Sequence, residues 1–448
     1  MNIKTNVSDV RVVEIGASQE PYVIIQKALD YCYTNKGTVV IAKPGDYVLT
    51  DKIKIGDNTT LQMEKGVKLI RGGALTSAGE VHATIQGKVT TGMSNIKIIG
   101  GEITAQSSSK IGKHVYLRGV TNFEMNGTAF TGVYGDWNTA FKDCNNTRVS
   151  NVYVNSGTTN SEDGLHWYGG SNHTVTNCNI TSGDDCIAFS NEGLGDISPE
   201  AYSLNYITVS NCTLHSAVAH AVRVRLVSGA PAITHVNVSN ITGSIGGATN
   251  AGGGIAITGV SGNKINYVEL SNISLDCSQN SSVGCNITYC DYLTADTVRI
   301  LSSYGRALVV DSCDYVSIDK FFNNAVRNSN TQNALISENG NCNYLSITNS
   351  FFGGATTNGV VIGSTGAVAD WKFQNNVIKG ATNRGLRVQK ASNGLVTGNY
   401  ITGCTSYGIE EIDPSNNNTF TMNKLVGNGF SNTIVKAGST STTTGNFT

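Results

Sequence analysis

The heptapeptide ITVSNCT, residues 207–213, alternates apolar and polar side chains and is interrupted by an asparagine. Its central phrase, Val-Ser-Asn or a close variant, returns many times along the chain. The gap is 26 positions from Asn151 to Asn177 and 24 positions from Asn375 to Asn399. The repeats carry their asparagines at Asn151, Asn177, Asn211, Asn240, Asn272, Asn349, Asn375, Asn399 and Asn423.

Short alternating runs that recur at this period predict a parallel β-helix, in which one repeat forms one winding of a solenoid. Asparagine tolerates the left-handed conformation of a sharp turn, and stacked amides can hydrogen-bond from winding to winding. The gap of 34 positions between Asn177 and Asn211 indicates a loop inserted into a fixed unit. A leucine-rich repeat would need an L-x-x-L-x-L signature, and a propeller would need a longer period.

Composition agrees with an all-β solenoid and excludes several classes of function. The 448 residues include 51 Gly but only 5 Pro, and 14% are charged, which favours strands and tight turns. A net charge of -1 offers no broad basic surface, so we expect no nucleic-acid partner. The longest apolar runs are too short to cross a bilayer, so we expect no membrane insertion. The first residues lack the apolar core of a secretory signal.

The two ends of the chain differ from the repeats. Residues 21–33 predict a helix with Ile25, Leu29 and Cys32 on one stripe, followed by a strand–turn–strand pattern in residues 37–55. We interpret 1–60 as an N-terminal cap, 61–430 as the β-helix, and 431–448 as a Ser/Thr/Gly-rich tail without regular structure. The eleven cysteines form no CxxC pair, so buried free thiols are expected rather than disulfides.

Two adjacent acids, Asp184 and Asp185, stand out in a chain with few charges. Asp163 lies 21 positions earlier, close to one winding. Residues one winding apart stack about 4.8 Å from each other, so the three carboxylates should share one patch. Repulsion among them raises the pKa of at least one, and glycoside hydrolysis requires a protonated acid beside an ionised base.

One winding further on, once a loop is subtracted, comes His220, which we expect to stack on the acids. Arg223 and Arg225 alternate with Val222 and Val224, so both guanidinium groups should leave the outer face of one strand. The two arginines are candidates for substrate binding, although their stems could also simply cover an apolar surface.

Aromatic rings in the same windings could stack on sugar faces. Trp137 and Trp167 are candidates for substrate contact, and Tyr168 lies beside them, although packing explains any one of these rings equally well. Glu192 is a further candidate for substrate binding, but Glu192, Glu162 and Asp136 also fit solvated loop acids.

The histidines near Asp163 do not form a metal motif. His166 and His173 lack metal-ligand spacing, so the sequence predicts no metal site and no cofactor.

The set Asp163-Gly164, Gly183-Asp184-Asp185-Cys186 and His220 resembles the polygalacturonase-like enzymes of glycoside hydrolase family 28. The resemblance covers residues 20–430 in organisation and 140–260 in motif. It implies a right-handed parallel β-helix, with Asp184 as general acid and with Asp163 and Asp185 activating water for inverting hydrolysis. It also implies that His220 tunes or orients the acid.

Some positions depart from that family's pattern. Ser161-Glu162-Asp163 stands where the family has N-T-D, and alanines flank His220 where the family has glycines. The family's R-I-K motif falls on Ala256-Ile257-Thr258, so Arg223 and Arg225, one winding earlier, are the candidates to replace its cations.

The sequence therefore predicts an inverting glycoside hydrolase that acts on an acidic or bacterial surface polysaccharide. In architecture it also resembles phage tailspike depolymerases, which implies an extracellular or virion-associated protein and a homotrimer if assembly follows the same pattern.

Two alternatives to a hydrolase stay open. One is a polysaccharide lyase on the same fold, with calcium held by the aspartates and Arg223 or Arg225 as base. The other is a non-catalytic glycan-binding fibre or adhesin.

Overall fold

A computed structural model describes most of the chain. The described ranges are 9–16, 19–72, 83–89, 92–106, 112–132, 136–157, 161–191, 204–246, 253–279, 283–328, 331–430, 435–436 and 440–447.

Within the described ranges, the protein is a parallel β-solenoid of about 15 turns, with 62% of the residues in strands and a single short helix. This confirms the predicted fold class. The described strands pair in parallel with strands of neighbouring windings, as β11 (Thr139–Ser150) does with β13 (Leu165–Thr176). The solenoid arises because apolar side chains at alternate positions of every winding point to one shared interior.

The chain divides into two compact units, residues 1–216 and 217–448. The first unit holds the helix α1 (Pro21–Asn35) and, besides β11 and β13, the strands β1 (Asp9–Val13), β2 (Gly37–Ile41), β3 (Gly45–Leu49), β4 (Ile53–Ile55), β5 (Thr60–Arg71), β6 (Ala83–Gly87), β7 (Met93–Ala105), β8 (Lys113–Arg118), β9 (Val120–Asn126), β10 (Ala129–Thr131), β12 (Tyr153–Asn155), β14 (Asn179–Ser182), β15 (Ile187–Ser190) and β16 (Leu204–Ser216).

The second unit is built from shorter and more regular windings towards its end. Its strands are β17 (Val222–Arg225), β18 (Ile233–Ile245), β19 (Gly253–Thr258), β20 (Ile265–Cys277), β21 (Val283–Thr288), β22 (Cys290–Ser303), β23 (Leu308–Asp311), β24 (Asp314–Asn323), β25 (Ala334–Ile336), β26 (Cys342–Thr348), β27 (Phe351–Gly353), β28 (Val360–Ile362), β29 (Val368–Ala369), β30 (Lys372–Gln374), β31 (Val377–Lys379), β32 (Leu386–Gln389), β33 (Ala391–Ser392), β34 (Leu395–Thr397), β35 (Tyr400–Thr402), β36 (Ile409–Ile412), β37 (Thr419–Thr421), β38 (Lys424–Val426), β39 (Val435–Lys436) and β40 (Thr442–Thr444).

The helix α1 forms as the sequence predicts. Proline occupies its first turn, where a missing N–H costs nothing, and Lys36 ends it in the left-handed conformation with φ 60°. Ile25, Leu29 and Cys32 are its buried residues. Among the described residues, no helix is long and apolar enough to cross a membrane.

Aromatic rings stack through the interior of the first unit. Phe123 and Phe141 have ring centroids 5.1 Å apart, Phe141 and Trp167 5.0 Å, and Trp167 and Phe189 4.8 Å. All four side chains are buried. Burial of each contributes about 1.5–3 kcal/mol, so this stack is a major source of stability in that unit.

An asparagine ladder runs along one turn of the first unit, at asparagines other than those of the repeat phrase. Each amide nitrogen donates to the amide oxygen one winding before it, at 2.8–3.1 Å. Every member has a positive φ between 52° and 62°. The ladder consists of Asn58, Asn95, Asn122, Asn146 and Asn172.

A tyrosine ladder lies along a turn of the second unit. We use this name for His235, Tyr267, Tyr292, Tyr315 and Tyr344, whose successive ring centroids are 4.7–5.0 Å apart. Every member has a φ between 55° and 58°, and each tyrosine keeps about half of its surface exposed. In the windings that follow, the same turn position holds Asp370, Asn393 and Asn417.

The cysteines and the C-terminal segment test two further expectations. All eleven cysteines are buried and free, as predicted.

The expectation that the tail lacks regular structure is wrong for residues 440–447, because β40 pairs with β37. Asn446 extends a buried amide ladder, since its Oδ1 accepts from the backbone and side-chain nitrogens of Asn423 at 2.9 Å.

Candidate active site

The three candidate acids lie at equivalent points of two successive windings. Asp163 precedes β13, and Asp184 and Asp185 lie in the turn between β14 and β15. Gly164 N donates to Asp185 O at 2.8 Å, which fixes the register of the two turns. A Cβ at Gly164 would come within 2.3 Å of the Cys186 carbonyl oxygen, so this close approach requires glycine.

The three carboxylates converge. One oxygen from each lies within 4.8 Å of one oxygen from each of the others. Asp163 and Asp185 are buried, whereas Asp184 is partly exposed. Three acids in such a space repel one another when ionised, so a proton shared within the cluster lowers its free energy.

Backbone N–H groups hold two of the carboxylates in place. Asp163 Oδ1 accepts from Asp185 N at 3.1 Å, and Asp184 Oδ2 accepts from Ser161 N at 2.8 Å. The main chain around them is also fixed, since Asn138 donates from its backbone and its side-chain nitrogen to Asp163 O. The carboxylates are therefore oriented before any ligand arrives.

His166 joins the acids, which the sequence analysis did not foresee. Its Nδ1 lies 2.5 Å from Asp163 Oδ2, and its Nε2 lies 2.8 Å from Ser190 Oγ. The alternation of β13 explains this position, because Leu165 points inward and His166 therefore points outward to the acids. The spacing of three residues from Asp163, across a strand start, was the signal in the sequence.

Rings pack beside His166. Its ring centroid lies 4.4 Å from that of Trp137 and 4.3 Å from that of Tyr168. Trp137 is partly buried against Ala83, Tyr116 and Ala140, so it lies at the site where the sequence placed it. Its predicted contact with substrate stays a prediction.

Trp167 does not belong to this site. It is fully buried in the interior stack, and its indole nitrogen donates to Thr147 Oγ1 at 2.9 Å. The prediction that it contacts substrate is wrong, because Trp167 shares the inward face of β13 with Leu165. Glu192 lies outside the described residues.

Two other acids lie close to the site. Glu162 is only 2% exposed, so its interpretation as a solvated loop acid is wrong. Its carboxylate lies where a Cβ at Gly157 would be, which requires glycine at that position. Asp136 forms an ion pair with Lys113 at 2.9 Å, and the Lys113 ammonium also lies 4.8 Å from the Trp137 ring centroid.

Two buried groups near the acids are chemically inert. Burial raises the pKa of Cys186 to about 12, so its thiol stays protonated. Burial lowers the pKa of His173 to about 4, and its Nδ1 lies 2.9 Å from Thr147 Oγ1. His173 is therefore an interior residue rather than a candidate acid or base.

The remaining candidates lie in the second unit. His220 is partly buried beside β17. Arg223 and Arg225 leave the outer face of β17 while Val222 and Val224 are buried, as the alternation predicted. Arg223 pairs with Ala256 in the next winding and Arg225 with Thr258. The membership of His220, Arg223 and Arg225 in the acid site stays a prediction.

The three carboxylates could also hold a metal ion. Among the residues with described positions, no group of acids, histidines or cysteines other than Asp163, Asp184 and Asp185 has its ligand atoms close enough together for one. Acid clusters are common without an ion, and we assign none.

Known structures share the fold. The chain aligns with PfbA, a surface adhesin of Streptococcus pneumoniae, with a TM-score of 0.54, 10% identity, and coverage of 91% of this chain and 93% of that one. It aligns with a double mutant of the tailspike protein of E. coli bacteriophage HK620, in complex with a pentasaccharide, with a TM-score of 0.51, 12% identity, and coverage of 97% and 76%.

A family 28 exopolygalacturonase of Yersinia enterocolitica aligns with a TM-score of 0.47 and 12% identity, over 98% of this chain and 77% of that one. No family model matches the chain. No curated protein matches its sequence. At these identities the likenesses establish the fold alone.

Proposed function

We propose that the protein is a glycoside hydrolase that degrades an acidic or bacterial surface polysaccharide. The observation that carries the proposal is the convergence of Asp163, Asp184 and Asp185 within 4.8 Å, with Asp184 alone partly exposed. Asp184 can therefore reach a glycosidic oxygen and give it a proton, while Asp163 and Asp185 act as ionised partners. The pentasaccharide complex of a tailspike with this fold supports a glycan as ligand.

The stereochemical outcome is the sharpest detail of the proposal. The resemblance implies inversion, for which the two carboxyl groups are usually about 6.5–9.5 Å apart so that a water fits between them. Oxygens within 4.8 Å of one another are closer than that. We propose inversion through a water held at the edge of the cluster by Asp163 and Asp185. Proton NMR of the first-formed anomer tests this, and retention would contradict it.

A panel of capsular and plant polysaccharides, followed by chromatography of the products, tests the activity itself. Hydrolysis gives new reducing ends without ultraviolet absorption. Unsaturated ends that absorb in the ultraviolet would identify a lyase instead.

A second candidate function is a non-catalytic glycan-binding fibre. The hydrogen bonds from Asp185 N to Asp163 and from Ser161 N to Asp184 favour it, because aspartates at turns often serve only to cap backbone amides. The fold shared with a surface adhesin agrees with it. Measurable binding to a polysaccharide whose chain length stays unchanged after long incubation would establish this function.

We also propose that the protein acts outside the cell or on a virion and that it assembles as a homotrimer. The tailspike and the surface adhesin with the same fold support the location, and the homotrimer is what the resemblance to phage tailspikes implies. Light scattering coupled to size-exclusion chromatography tests the assembly, and a mass near 47.2 kDa would show a monomer and contradict it.

A further inference from the structure

A hydrogen-bonded chain of three side chains ends at one of the candidate acids. Asp163 Oδ2 lies 2.5 Å from His166 Nδ1, and His166 Nε2 lies 2.8 Å from Ser190 Oγ. When Asp163 is ionised, Nδ1 carries the hydrogen of this contact and donates it to the carboxylate, since two lone pairs would repel. In that state the imidazole is a donor to Asp163.

The same geometry occurs in serine hydrolases, but burial excludes that chemistry here. Ser190 is 0% exposed, and a nucleophile must reach its substrate. The hydroxyl can instead donate to a neutral Nε2 or accept from a protonated one. Ser190 therefore gives His166 a partner in both of its protonation states.

The charged and titratable groups that the described residues place around the imidazole include the buried Glu162, next to Asp163 in the chain. On one edge lies Asp163, with Asp184 and Asp185 behind it. Tyr168 stacks on the ring at 4.3 Å, and beyond the uncharged Trp137 lies the Lys113–Asp136 pair. The site thus has three acids to which His166 could donate, and its Nδ1 contacts one of them.

We propose that His166 is a positioning residue that keeps Asp163 ionised and thereby leaves the proton of the acid cluster to the other two members, Asp184 and Asp185. A donor, whether neutral or cationic, stabilises the ionised form of the carboxylate it contacts. Three close carboxylates cannot all be ionised without cost, so the proton resides on another member. Asp184 is the member that is partly exposed and can deliver that proton.

This inference rests on the proposed function, because it divides the roles of acid and base within that site. It makes a prediction that a purely structural histidine would not. Replacing the imidazole by an apolar group should raise the pH at which Asp163 ionises, by about 1–3 units. The activity should then require a higher pH.

The experiment compares His166→Leu, which removes the donor, with His166→Asn, whose amide can still donate to Asp163. We measure kcat and KM against pH on a polysaccharide that the wild type cleaves. We expect His166→Leu to move the acidic limb of the kcat profile upward by at least one pH unit, and His166→Asn to restore most of that shift. Equal loss of kcat in both variants with an unchanged profile would overturn the proposal.

A second measurement needs no substrate. Carbon-13 NMR of the aspartate side-chain carboxyls follows the titration of Asp163, with its signal assigned by its loss in Asp163→Asn. We expect the midpoint to rise in His166→Leu, and an unchanged midpoint would overturn the proposal. If the wild type cleaves no polysaccharide, the proposed function fails while this titration still decides the role of His166.

Ser190→Ala provides a milder variant should the others fail to fold. It leaves the imidazole beside Asp163 but removes the acceptor for a protonated Nε2, so a cationic ring is less favoured. We expect a smaller upward shift of the same titration. No shift in Ser190→Ala counts against the proposal.

Discussion

The acid site of the first unit and the tyrosine ladder of the second unit each invert the usual distribution of side chains. The acid site buries carboxylates and an imidazole, whereas the tyrosine ladder exposes about half of each ring. Charged residues are rarely buried unless they are paired or hydrogen-bonded, and Asp163 and Asp184 have described donors. Burying charged groups costs free energy, so the burial of these carboxylates indicates a functional role.

The exposed rings have a local explanation. A bulky residue with positive φ is strained by about 1–2 kcal/mol, and each stacked aromatic pair returns about 0.5–1.5 kcal/mol. Asp370, Asn393 and Asn417 fill the same turn position without rings. The comparison shows that exposed aromatic rings can arise from the conformation that a repeated turn requires. The burial of several acids together, in contrast, indicates a functional site.

The largest expected effect is a loss of activity on substitution in the acid site, with no such loss on substitution of an acid in the second unit. Asp184→Asn removes a transferable proton while its amide oxygen can still accept from Ser161 N, so the fold should persist. We expect kcat on a cleaved polysaccharide to fall by about 10²–10⁴. The matched control is Asp319→Asn in the second unit, an acid that accepts from Thr348 and Asn349. Near-native turnover in Asp184→Asn would remove Asp184 from the mechanism.

A second substitution contrasts a buried stacked ring with an exposed one. Trp167→Ala leaves a cavity in the interior stack, and we expect the free energy of unfolding to fall by about 3–5 kcal/mol. Trp167→Phe keeps the stacking but loses the hydrogen bond to Thr147, which costs about 1 kcal/mol. Urea unfolding followed by circular dichroism measures both. Similar small losses in the two variants would mean that the stack matters little.

The pH dependence of stability should also report on the first unit. Burial lowers the pKa of His173 to about 4 and that of His114 to about 3, from an ordinary 6.5. Both side chains stay neutral in the folded protein while the unfolded chain binds protons below pH 6.5. Their contribution is complete above that pH and is lost as the pH falls towards 4.

His173→Gln isolates this effect. We expect the slope of unfolding free energy against pH, between 6 and 4.5, to become shallower by about 1.36 kcal/mol per pH unit. Urea titrations at a series of pH values measure it. An unchanged slope would mean that His173 binds a proton equally well in the folded protein.

The smallest expected effect tests the tyrosine ladder. Tyr292→Asn loses two ring contacts but places the residue type that tolerates positive φ, as in the ladder of the first unit. We expect the unfolding free energy to change by less than about 1 kcal/mol, with no change in activity. A loss as large as that of Trp167→Ala would show that the exposed rings carry the stability of their unit.

The repeat phrase was sufficient to predict the solenoid and the meeting of three acids from two windings, although the asparagine ladder of the first unit is formed by other asparagines than those of the phrase. Both predictions follow from the period alone, because residues one winding apart must stack. The same reasoning failed for Trp167. This residue lies two positions after Leu165 on β13, so the alternation of the strand already predicts that its side chain points into the interior. It also failed for Glu162 and for residues 440–447, since burial by neighbouring turns and the pairing of one more strand depend on contacts that no local pattern encodes.

The number of residues between paired strands has little influence on the register of the solenoid. From Asn146 to Asn172 there are 26 residues and from His173 to Ile207 there are 34, yet β11, β13 and β16 pair in register in both cases. The connection between β15 and β16 is therefore interchangeable in size. Segments of different length could be grafted between β15 and β16 while the pairing of β13 with β15 and β16 persists.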